Sequence, residues 1–424
     1  MKLKLRVPLR HNADTTVAGR LSFQGDSLFP PGLPRVDQVR GDIDFTGDSL
    51  NAKNLTAQFL GGPVRVDAVT QNGQVRFLAQ GRATAAGMAP WLGAAWSAHL
   101  SGQTAWRGQL DLEPGGERIL IDADLVGLGS SLPSPLAKAA AQPLPLRVIS
   151  QPQGDGRLHE VRLGGIVSAT WRGIATGRFD RGEIRFGGEA LMPDEPGLRL
   201  AGSGRGVDIS GWAGLLPEGD DKERLSLSSI DLGFDTLDLM GRRYQDVRLR
   251  GRTRNGLLRT QVTGREVNGV LTYRPADTYD STGASARNGS ETLRGQSARV
   301  SAQFRQLTIP AAAPAAGAVA GMNVKAADFP MLDVTVEDFR LQERSLGRLE
   351  AVAHGAPEGM VIDSLQLTHP DSVFRMSGLW RDGAPSQTRA ELSLKVLDAG
   401  RFLGRFGYPD ALKRGSADIQ GNAT

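Results

Sequence analysis

The chain has 424 residues, and its 50 Lys and Arg residues nearly balance its 46 Asp and Glu residues. Charges of both signs are interspersed rather than blocked, which argues against a nucleic-acid-binding surface. Cysteine is absent, which excludes disulfides, thiolate metal sites and cysteine nucleophiles. No stretch approaches the roughly 20 consecutive apolar residues that a membrane-spanning helix needs.

The first part of the chain is dominated by alternating apolar and polar residues, the pattern of half-buried β-strands. Residues 61–67 and 74–78 alternate in this way on either side of Asn72-Gly73. Both residues of that dipeptide tolerate positive φ, so it predicts a tight hairpin turn. Residues 118–126 continue the pattern and place Ile119 and Ile121 on one face of a strand.

Three short segments interrupt the strands with a different period. Residues 84–96, 208–216 and 398–406 each contain a glycine followed by bulky apolar residues at helical spacing. Asp208 and Asp398 stand where an N-cap carboxylate would accept hydrogen bonds from the first free amides of a helix. We therefore expect three short helices that pack against strand edges.

Two segments about a hundred residues apart have the same organisation. Residues 230–239 and 332–341 alternate, slip by one residue near the middle, and lead into a second alternating run, a turn, and a strand that ends on a glycine and an aromatic residue. Such units bury their apolar faces only by stacking on neighbours. The slips at Thr236 and at Glu337-Asp338 predict β-bulges that bend the sheet.

The fold class predicted from these patterns is mainly β. We expect an elongated, curled antiparallel β-sheet that is groove-like and repeat-built, with a few short helices. Residues 1–300 would form an extended β-groove segment, and residues 331–424 a second copy of the repeat, truncated at its end. Residues 276–330, rich first in Ser and Gly and then in Ala and Pro, predict a loop insertion and a linker.

The sequence offers no credible catalytic cluster. Its five histidines lie far apart, and none belongs to an H-E-x-x-H motif that would place two imidazoles on one metal. Gly202-Ser-Gly-Arg-Gly206 lacks the spacing and the lysine of a phosphate-binding loop. We therefore predict no catalytic residues, no metal site, no cofactor and no enzymatic activity.

Three stretches resemble a known family. Residues 122–138, 333–380 and 398–409 are similar to characteristic runs of the YhdP branch of the AsmA-like proteins. Those proteins are bacterial bridge-like lipid transfer proteins of the Gram-negative envelope, periplasmic and anchored in the inner membrane by an N-terminal helix. This chain lacks that anchor helix, and the resemblance implies that it is a central-to-C-terminal fragment of such a protein.

The resemblance also implies a function and partners. An apolar β-groove would carry phospholipid acyl chains between the inner and outer membranes and so support the outer-membrane permeability barrier. Phospholipids are the expected ligands. The two membranes, or proteins in them, would be contacted through parts of the full-length protein that are not present in this chain, and no nucleic acid is expected.

Alternation identifies candidate residues that would line this groove. They share strong apolar character and the same-face spacing of a strand. The candidates are Ile119, Ile121, Leu125, Ile230, Leu232, Phe234, Leu332, Val334, Val336, Leu365, Leu367, Phe374 and Met376. Alternation shows which face is apolar and leaves open whether protein or lipid covers it.

Two other classes of function therefore stay open. A structural or assembly protein of the envelope, with a closed β core, would fill the apolar face with its own side chains. A glycan-processing enzyme or a lectin would need exposed aromatic residues beside carboxylates. The six tryptophans are scattered along the chain, which makes the last alternative the weakest.

Overall fold

The structure is a computed structural model that describes residues 2–6, 16–30, 33–113, 115–174, 177–215, 226–276, 298–312, 329–381 and 387–423. It contains two compact units, Met1–Gly204 with Leu215–Ser226, and Arg205–Gly214 with Leu227–Thr424. Strands dominate the described residues of both units, and the helices among them are four and short. The prediction of a mainly β, antiparallel-dominated fold with a few short helices is confirmed.

Unit 1 is an antiparallel ladder built largely in chain order. Its strands are β1 (Lys2–Arg6), β2 (Thr16–Leu28), β3 (Val36–Thr46), β4 (Leu50–Phe59), β5 (Gly62–Gln71), β6 (Gln74–Thr84), β7 (Leu100–Glu113), β8 (Gly116–Ala123), β9 (Leu128–Ser130), β10 (Leu146–Gln153), β11 (Gly156–Leu163), β12 (Val167–Gly173), β13 (Phe179–Phe186) and β14 (Gly197–Asp208). Each strand pairs with the next, except that β8 pairs with β10 and the short β9 pairs with β7. The pairing of β13 with β14 is parallel.

Unit 2 has the same organisation, and each of its strands pairs with the next one in the chain. Its strands are β15 (Leu227–Leu239), β16 (Arg242–Arg254), β17 (Leu257–Thr263), β18 (Val267–Arg274), β19 (Arg299–Ile309), β20 (Met331–Leu341), β21 (Arg344–Ala356), β22 (Gly359–His369), β23 (Ser372–Arg381), β24 (Gln387–Val396) and β25 (Ala417–Ala423). Successive strands pair antiparallel, apart from the parallel pair β19 and β20. The two segments that share a sequence pattern become matching meanders, β15 to β18 and β20 to β23.

The predicted linker region is only partly described. Residues 277–297 and 313–328, which include most of the predicted loop insertion and the Ala/Pro tract, lie outside the described residues. Between them, β19 is a regular strand. The division of the chain into two β repeats joined by this region stays a prediction.

Tight turns with positive φ connect many of the strands. The predicted Asn72-Gly73 turn is confirmed, with φ values of 53° and 76°, and Asn255-Gly256 has the same form. Leu60-Gly61 and Met240-Gly241 also adopt positive φ at both residues. Sequence reasoning missed them because Leu and Met rarely enter this region, and only the glycine signals the turn.

The two predicted bulges have different outcomes. The pairing of β20 with β21 shifts register between Val336 and Phe339, which confirms the bulge at Glu337-Asp338. The prediction at Thr236 is wrong for the pairing of β15 with β16, where Phe234 to Val247 and Thr236 to Gln245 keep one register. Between these two pairs, Asp246 of β16 adopts a φ of 53°. Aspartate tolerates this left-handed conformation because its side chain is short and polar. The slip in the alternation of β15 is therefore accommodated without an extra residue.

The short helices are α1 (Ala85–Leu92), α2 (Ala94–Ser97), α3 (Ile209–Ala213) and α4 (Ala399–Arg405). Both predicted N-caps are confirmed. The Asp208 carboxylate accepts a hydrogen bond from the Gly211 amide at 3.0 Å, and the Asp398 carboxylate accepts one from the Arg401 amide at 3.1 Å. These contacts satisfy amides that a helix cannot pair internally.

A buried carboxylate fastens the connection between the parallel strands β13 and β14. The Glu183 side chain is fully buried and lies 2.6 Å from Arg185 Nε and 3.3 Å from Arg199 Nε. It also accepts a hydrogen bond from the Leu191 amide at 3.1 Å. Two cations and a backbone amide thus hold the segment that connects β13 to β14 against these two strands.

Helix α4 is anchored by a second buried ion pair. Arg405, 12% exposed, lies 2.6 Å from Asp371, which is 3% exposed. Asp371 also accepts a hydrogen bond from the Ser372 hydroxyl at 2.7 Å, and the Arg405 guanidinium donates to the Ser345 carbonyl at 2.7 Å. Because these groups are removed from water, each depends on its partner for solvation.

We predict that Asp371→Asn destabilises unit 2 by about 3 kcal/mol, because it leaves the Arg405 charge buried without a counter-ion. Glu358→Gln breaks the ion pair with Arg381, in which both side chains are well exposed, and should cost less than about 1 kcal/mol. Chemical denaturation of the two variants measures the difference. Equal and small effects would show that Asp371 does not anchor α4.

Candidate functional site

An apolar face runs across all the strands of unit 2. Residues directly opposite one another in paired strands point to the same side of a sheet, so the register defines three rows of side chains. The first row is Leu232, Leu249, Val262, Gly269, Phe304, Val336, Leu349, Leu367, Phe374, Leu394 and Ile419; the second is Ile230, Gly251, Thr260, Leu271, Ala302, Val334, Ala351, Leu365, Met376, Leu392 and Gly421; the third is Thr253, Leu258, Tyr273, Val300, Leu332, Ala353, Ile362, Gly378, Ala390 and Ala423. These rows hold no Asp, Glu, Lys, Arg or His.

Unit 1 has the same kind of face from β4 to β14. Its first row is Ala57, Val64, Gly81, Trp106, Ala123, Leu146, Leu163, Val167, Phe186 and Gly202; the second is Leu55, Val66, Ala79, Gly108, Ile121, Val148, Val161, Ala169, Ile184 and Leu200; the third is Ala52, Ala68, Phe77, Leu110, Ile119, Ser150, His159, Trp171, Gly182 and Leu198. His159 is the single ionisable residue in these rows. Strands about 4.8 Å apart make such a face roughly 40 Å long.

The opposite face of each unit is polar and lined with ion pairs. Arg147 Nε lies 2.7 Å from Asp122, and Arg20 Nε lies 2.6 Å from Asp44 in unit 1. In unit 2, Arg250 Nε lies 3.2 Å from Asp231. These side chains are well exposed, so each pair adds little stability, and their main effect is to keep this face in water.

The structure brings most of the predicted lining residues together within each unit. Eleven of the thirteen lie in the rows, in register with one another across the strands. Phe234 lies on the same face, opposite Val247 and two residues beyond Leu232 of the first row. Leu125 does not, because β8 ends at Ala123 and Leu125 follows in a loop with a φ of 52°. Its carbonyl accepts a hydrogen bond from Lys138 Nζ at 2.9 Å.

Sequence reasoning missed the face's contributions from β16, β17, β18 and β19. Leu249, Val262 and Phe304 complete the first row of unit 2. The alternation of β16 was recognised, but its strand partners could not be assigned from the sequence. A signal was present in β19, where Val300, Ala302 and Phe304 alternate inside the segment predicted as a linker.

Glycines in the rows accept facing aromatic rings. Gly182 lies opposite Trp171, and a Cβ at that position would stand 2.6 Å from the Trp171 Cβ. Gly269 lies opposite Phe304, where a Cβ would stand 2.4 Å from the Phe304 ring. Neither backbone could carry a larger residue, so the ring covers the gap that the glycine leaves in the face.

The faces are only partly covered by the protein itself. Eleven of the thirteen predicted residues are partly buried, and only Phe234 and Val336 are buried, at 5% and 0% exposure. The beginning of unit 1 differs, because Val39, Ala57 and Val64 form one buried cluster and Ala52, Leu55 and Ala68 form another. The apolar face is therefore buried by the protein's own side chains at β3 to β5 and more accessible to solvent from β8 onward.

The two long borders of the face are not alike in unit 2. Helix α3 lies near the β15–β16 turn, where the Met240 amide donates a hydrogen bond to the Ser210 hydroxyl at 2.7 Å. Helix α4 lies beyond the first row, held through Asp371 and Ser345. The border beyond the third row contains hairpin turns such as Asn255-Gly256. Short helices thus line one border, as expected from their position after strand ends.

The part of the chain that the structure describes contains no candidate metal site and no candidate membrane-spanning helix. No group of three or more metal-ligating side chains comes together among those residues. None of their helices is long and apolar enough to cross a membrane.

His159 is the polar exception on the face of unit 1. Its ring stacks on Trp171 with centroids 4.9 Å apart and an interplanar angle of 15°. Burial lowers the pKa of His159 below its usual value, and the nearby positive charge of Arg157 lowers it further. The imidazole is therefore held neutral near pH 7. Glu117, Ser150 and Arg157 are its polar neighbours on this face.

We expect unit 1 to lose stability as the pH falls below about 6.5, the usual pKa of histidine. The unfolded chain then binds a proton that the folded state, with its lowered pKa, still rejects. His159→Gln cannot titrate and should flatten this part of the pH profile of unfolding free energy. An unchanged slope in the variant would contradict the assignment.

Comparisons with known proteins match the chain to a family and to a curated relative. The family described as YhdP protein matches residues 1–424. The intermembrane phospholipid transporter YhdP of Escherichia coli (strain K12) is 27% identical over 298 residues, which cover 64% of this chain and 23% of that protein. The chain thus matches less than a quarter of its relative's length. No solved structure matches it. Since the family match extends over the whole sequence, the chain belongs to the YhdP family.

Proposed function

We propose that this chain is part of an envelope protein that carries phospholipids between the inner and outer membranes. The apolar faces of its units would hold the acyl chains, and the transport would support the outer-membrane permeability barrier. One observation carries the proposal: in each unit three rows of predominantly apolar side chains cross ten or more paired strands. The E. coli relative, an intermembrane phospholipid transporter, supports the lipid as cargo.

The rows suit a sliding ligand better than a fixed one. Burying an acyl chain gains about 0.8 kcal/mol per CH₂ group. Because consecutive strands present similar apolar side chains about 4.8 Å apart, neighbouring positions of the chain would have nearly equal free energies. A lipid could then move along the face in small steps without falling into a deep minimum, and no catalytic group is required.

The environment of such a protein follows from the same proposal. The full-length protein would be periplasmic, anchored in the inner membrane, and would contact the membranes or their proteins through other parts of its length. The polar face with its exposed ion pairs suits contact with water along the path. Phospholipids are the proposed ligands of the part described here.

One observation favours the alternative of a structural envelope protein with a closed core. The buried clusters at β3 to β5 show that side chains alone can cover part of the apolar face. A closed core throughout would leave no space for lipid. The two proposals therefore differ in one measurable property, the presence of bound phospholipid.

We predict that the purified chain retains phospholipid. Native mass spectrometry followed by lipid extraction would identify adducts that correspond to one or more phospholipids per chain. A chain that purifies without lipid, and takes none up from vesicles, would favour the closed-core alternative.

We expect lipid to contact one face of β20 and not the other. A photoreactive amino acid at Val334, which lies in the second row, should crosslink to phospholipid. The same amino acid at Thr335, which points to the polar face opposite Gln303 and Glu350, is the matched control. Equal crosslinking at both positions would exclude the apolar face as the lipid site.

Charges placed in the rows should block lipid. The double variant Val334→Glu, Leu365→Glu should lower the retained phospholipid at least about tenfold, because an acyl chain would have to desolvate two carboxylates. Thr335→Glu, Gln366→Glu adds the same charges on adjacent residues of the polar face and should leave retention unchanged. Circular dichroism would establish that both variants remain folded.

A further inference from the structure

A polar island interrupts the otherwise apolar face of unit 1. We define it as Glu117, Ser150, Arg157 and His159. Ser150 and His159 face each other directly across β10 and β11 in the third row. Glu117 and Arg157 stand two residues before Ile119 and His159 on their strands, so they point to the same face just beyond that row. The island therefore lies at the turn-side border of the apolar rows.

Arg157 holds the island together. Its Nε and Nη2 atoms donate hydrogen bonds to the Ser150 hydroxyl at 3.2 Å and 2.9 Å. Its Nη1 atom donates to the Glu117 carboxylate at 2.7 Å, and Nη2 also reaches the Glu117 carbonyl at 3.0 Å. Ser150 is only 9% exposed. The guanidinium is thus positioned from the apolar side by a buried hydroxyl and from the water side by a carboxylate.

The two charged side chains of the island differ in their exposure to solvent. The Arg157 side chain is 30% exposed, whereas the Glu117 side chain is 49% exposed. Glu117 can therefore turn into water at little cost, while Arg157 stays fixed by Ser150 and by its own strand. Because burial lowers the pKa of the adjacent His159, the imidazole adds no charge. Among the described residues on the apolar face from β8 to β14, Arg157 is the one cation.

We propose that Arg157 binds the phosphate of a phospholipid whose acyl chains lie on the apolar rows of unit 1, with Glu117 as the exchangeable partner that gives way to it. This inference rests on the proposed function and adds the place where the headgroup is recognised. A planar guanidinium pairs with two oxygens of a phosphate as it does with a carboxylate. The lipid thereby acquires a fixed orientation, with its headgroup on the turn-side border and its chains toward the first row.

The neighbouring strand supplies a matched control. Arg147 of β10 forms an ion pair with Asp122 in which Nε lies 2.7 Å from the carboxylate. This pair lies on the polar face, one residue from Val148 of the second row. Arg147→Gln therefore removes the same charge, from the same kind of ion pair, on the opposite side of the same sheet.

The test compares phospholipid with a lipid that has the same chains and no phosphate. The purified chain and its variants are incubated with vesicles that contain phosphatidylglycerol or diacylglycerol, and the retained lipid is counted by native mass spectrometry. Arg157→Gln should lower phosphatidylglycerol retention about tenfold, as expected for loss of a charge-assisted pair, and leave diacylglycerol retention unchanged. Arg147→Gln should change neither. Glu117→Gln, which removes the competing carboxylate, should raise phosphatidylglycerol retention.

Each other outcome has a defined meaning. Equal losses of both lipids in Arg157→Gln would show that Arg157 only supports the fold and would overturn the inference. Full phosphatidylglycerol retention in that variant would overturn it as well. If inorganic phosphate binds the lipid-free chain through Arg157 while lipid retention does not depend on that residue, the site takes free phosphate and the headgroup assignment is wrong. If the unmodified chain retains neither lipid, the proposed function itself fails.

Discussion

The register of the antiparallel ladder is the constraint on which the rest of this structure depends. Each row exists because mostly apolar residues stand directly opposite one another on neighbouring strands, through nine or more successive pairings in each unit. Since side chains alternate with a period of two, a slip of one residue in any pairing would send the following strands' apolar residues to the polar face. Backbone hydrogen bonds hold the strands together, but the match of side chains selects one register.

The structure tolerates local departures from this register where they do not reverse the faces. The shift between Val336 and Phe339 leaves Val336 fully buried and displaces only the pairing of Phe339 with Gly347, because Arg340 and Leu341 return to the earlier register. A similar shift between Ile362 and Leu365 keeps both residues on the apolar face, opposite Gly378 and Met376. Such bulges bend a sheet and strengthen its twist, so the rows can follow a curved surface without losing their continuity.

The apolar face and the polar face contribute to the molecule in different ways. Exposed ion pairs such as Arg147 with Asp122 add little free energy, whereas the buried groups at Glu183 and Asp371 fix a crossing segment and a helix. The partly buried rows present apolar surface that the unit itself does not cover. In this arrangement the few polar residues at the face, above all Arg157 beside Ser150, are the positions where the polar group of the proposed lipid would meet the protein.

The sequence by itself determined the kind of fold, the polarity of each strand's faces and several local features. Alternation predicted the strands that contain Ile119, Ile230 and Val334, and a carboxylate before a helical pattern predicted the caps at Asp208 and Asp398. These features depend on residues close together in the chain. Family resemblance added the expected ligand, which no periodicity could supply.

Only the tertiary structure decided which strands lie side by side and what each neighbour contributes. Strand β19 lies between β18 and β20, in a region predicted as a linker. It pairs in parallel with β20, as β13 does with β14. Both arrangements depend on contacts between residues that are distant in the sequence. Three smaller features likewise result from pairings that join residues 10 to 40 positions apart. They are the loop conformation of Leu125, the left-handed Asp246 in place of a bulge, and the contact of Arg157 with Glu117. A local pattern determines which side of a strand is apolar, but the free energy of pairing between strands determines what that side faces.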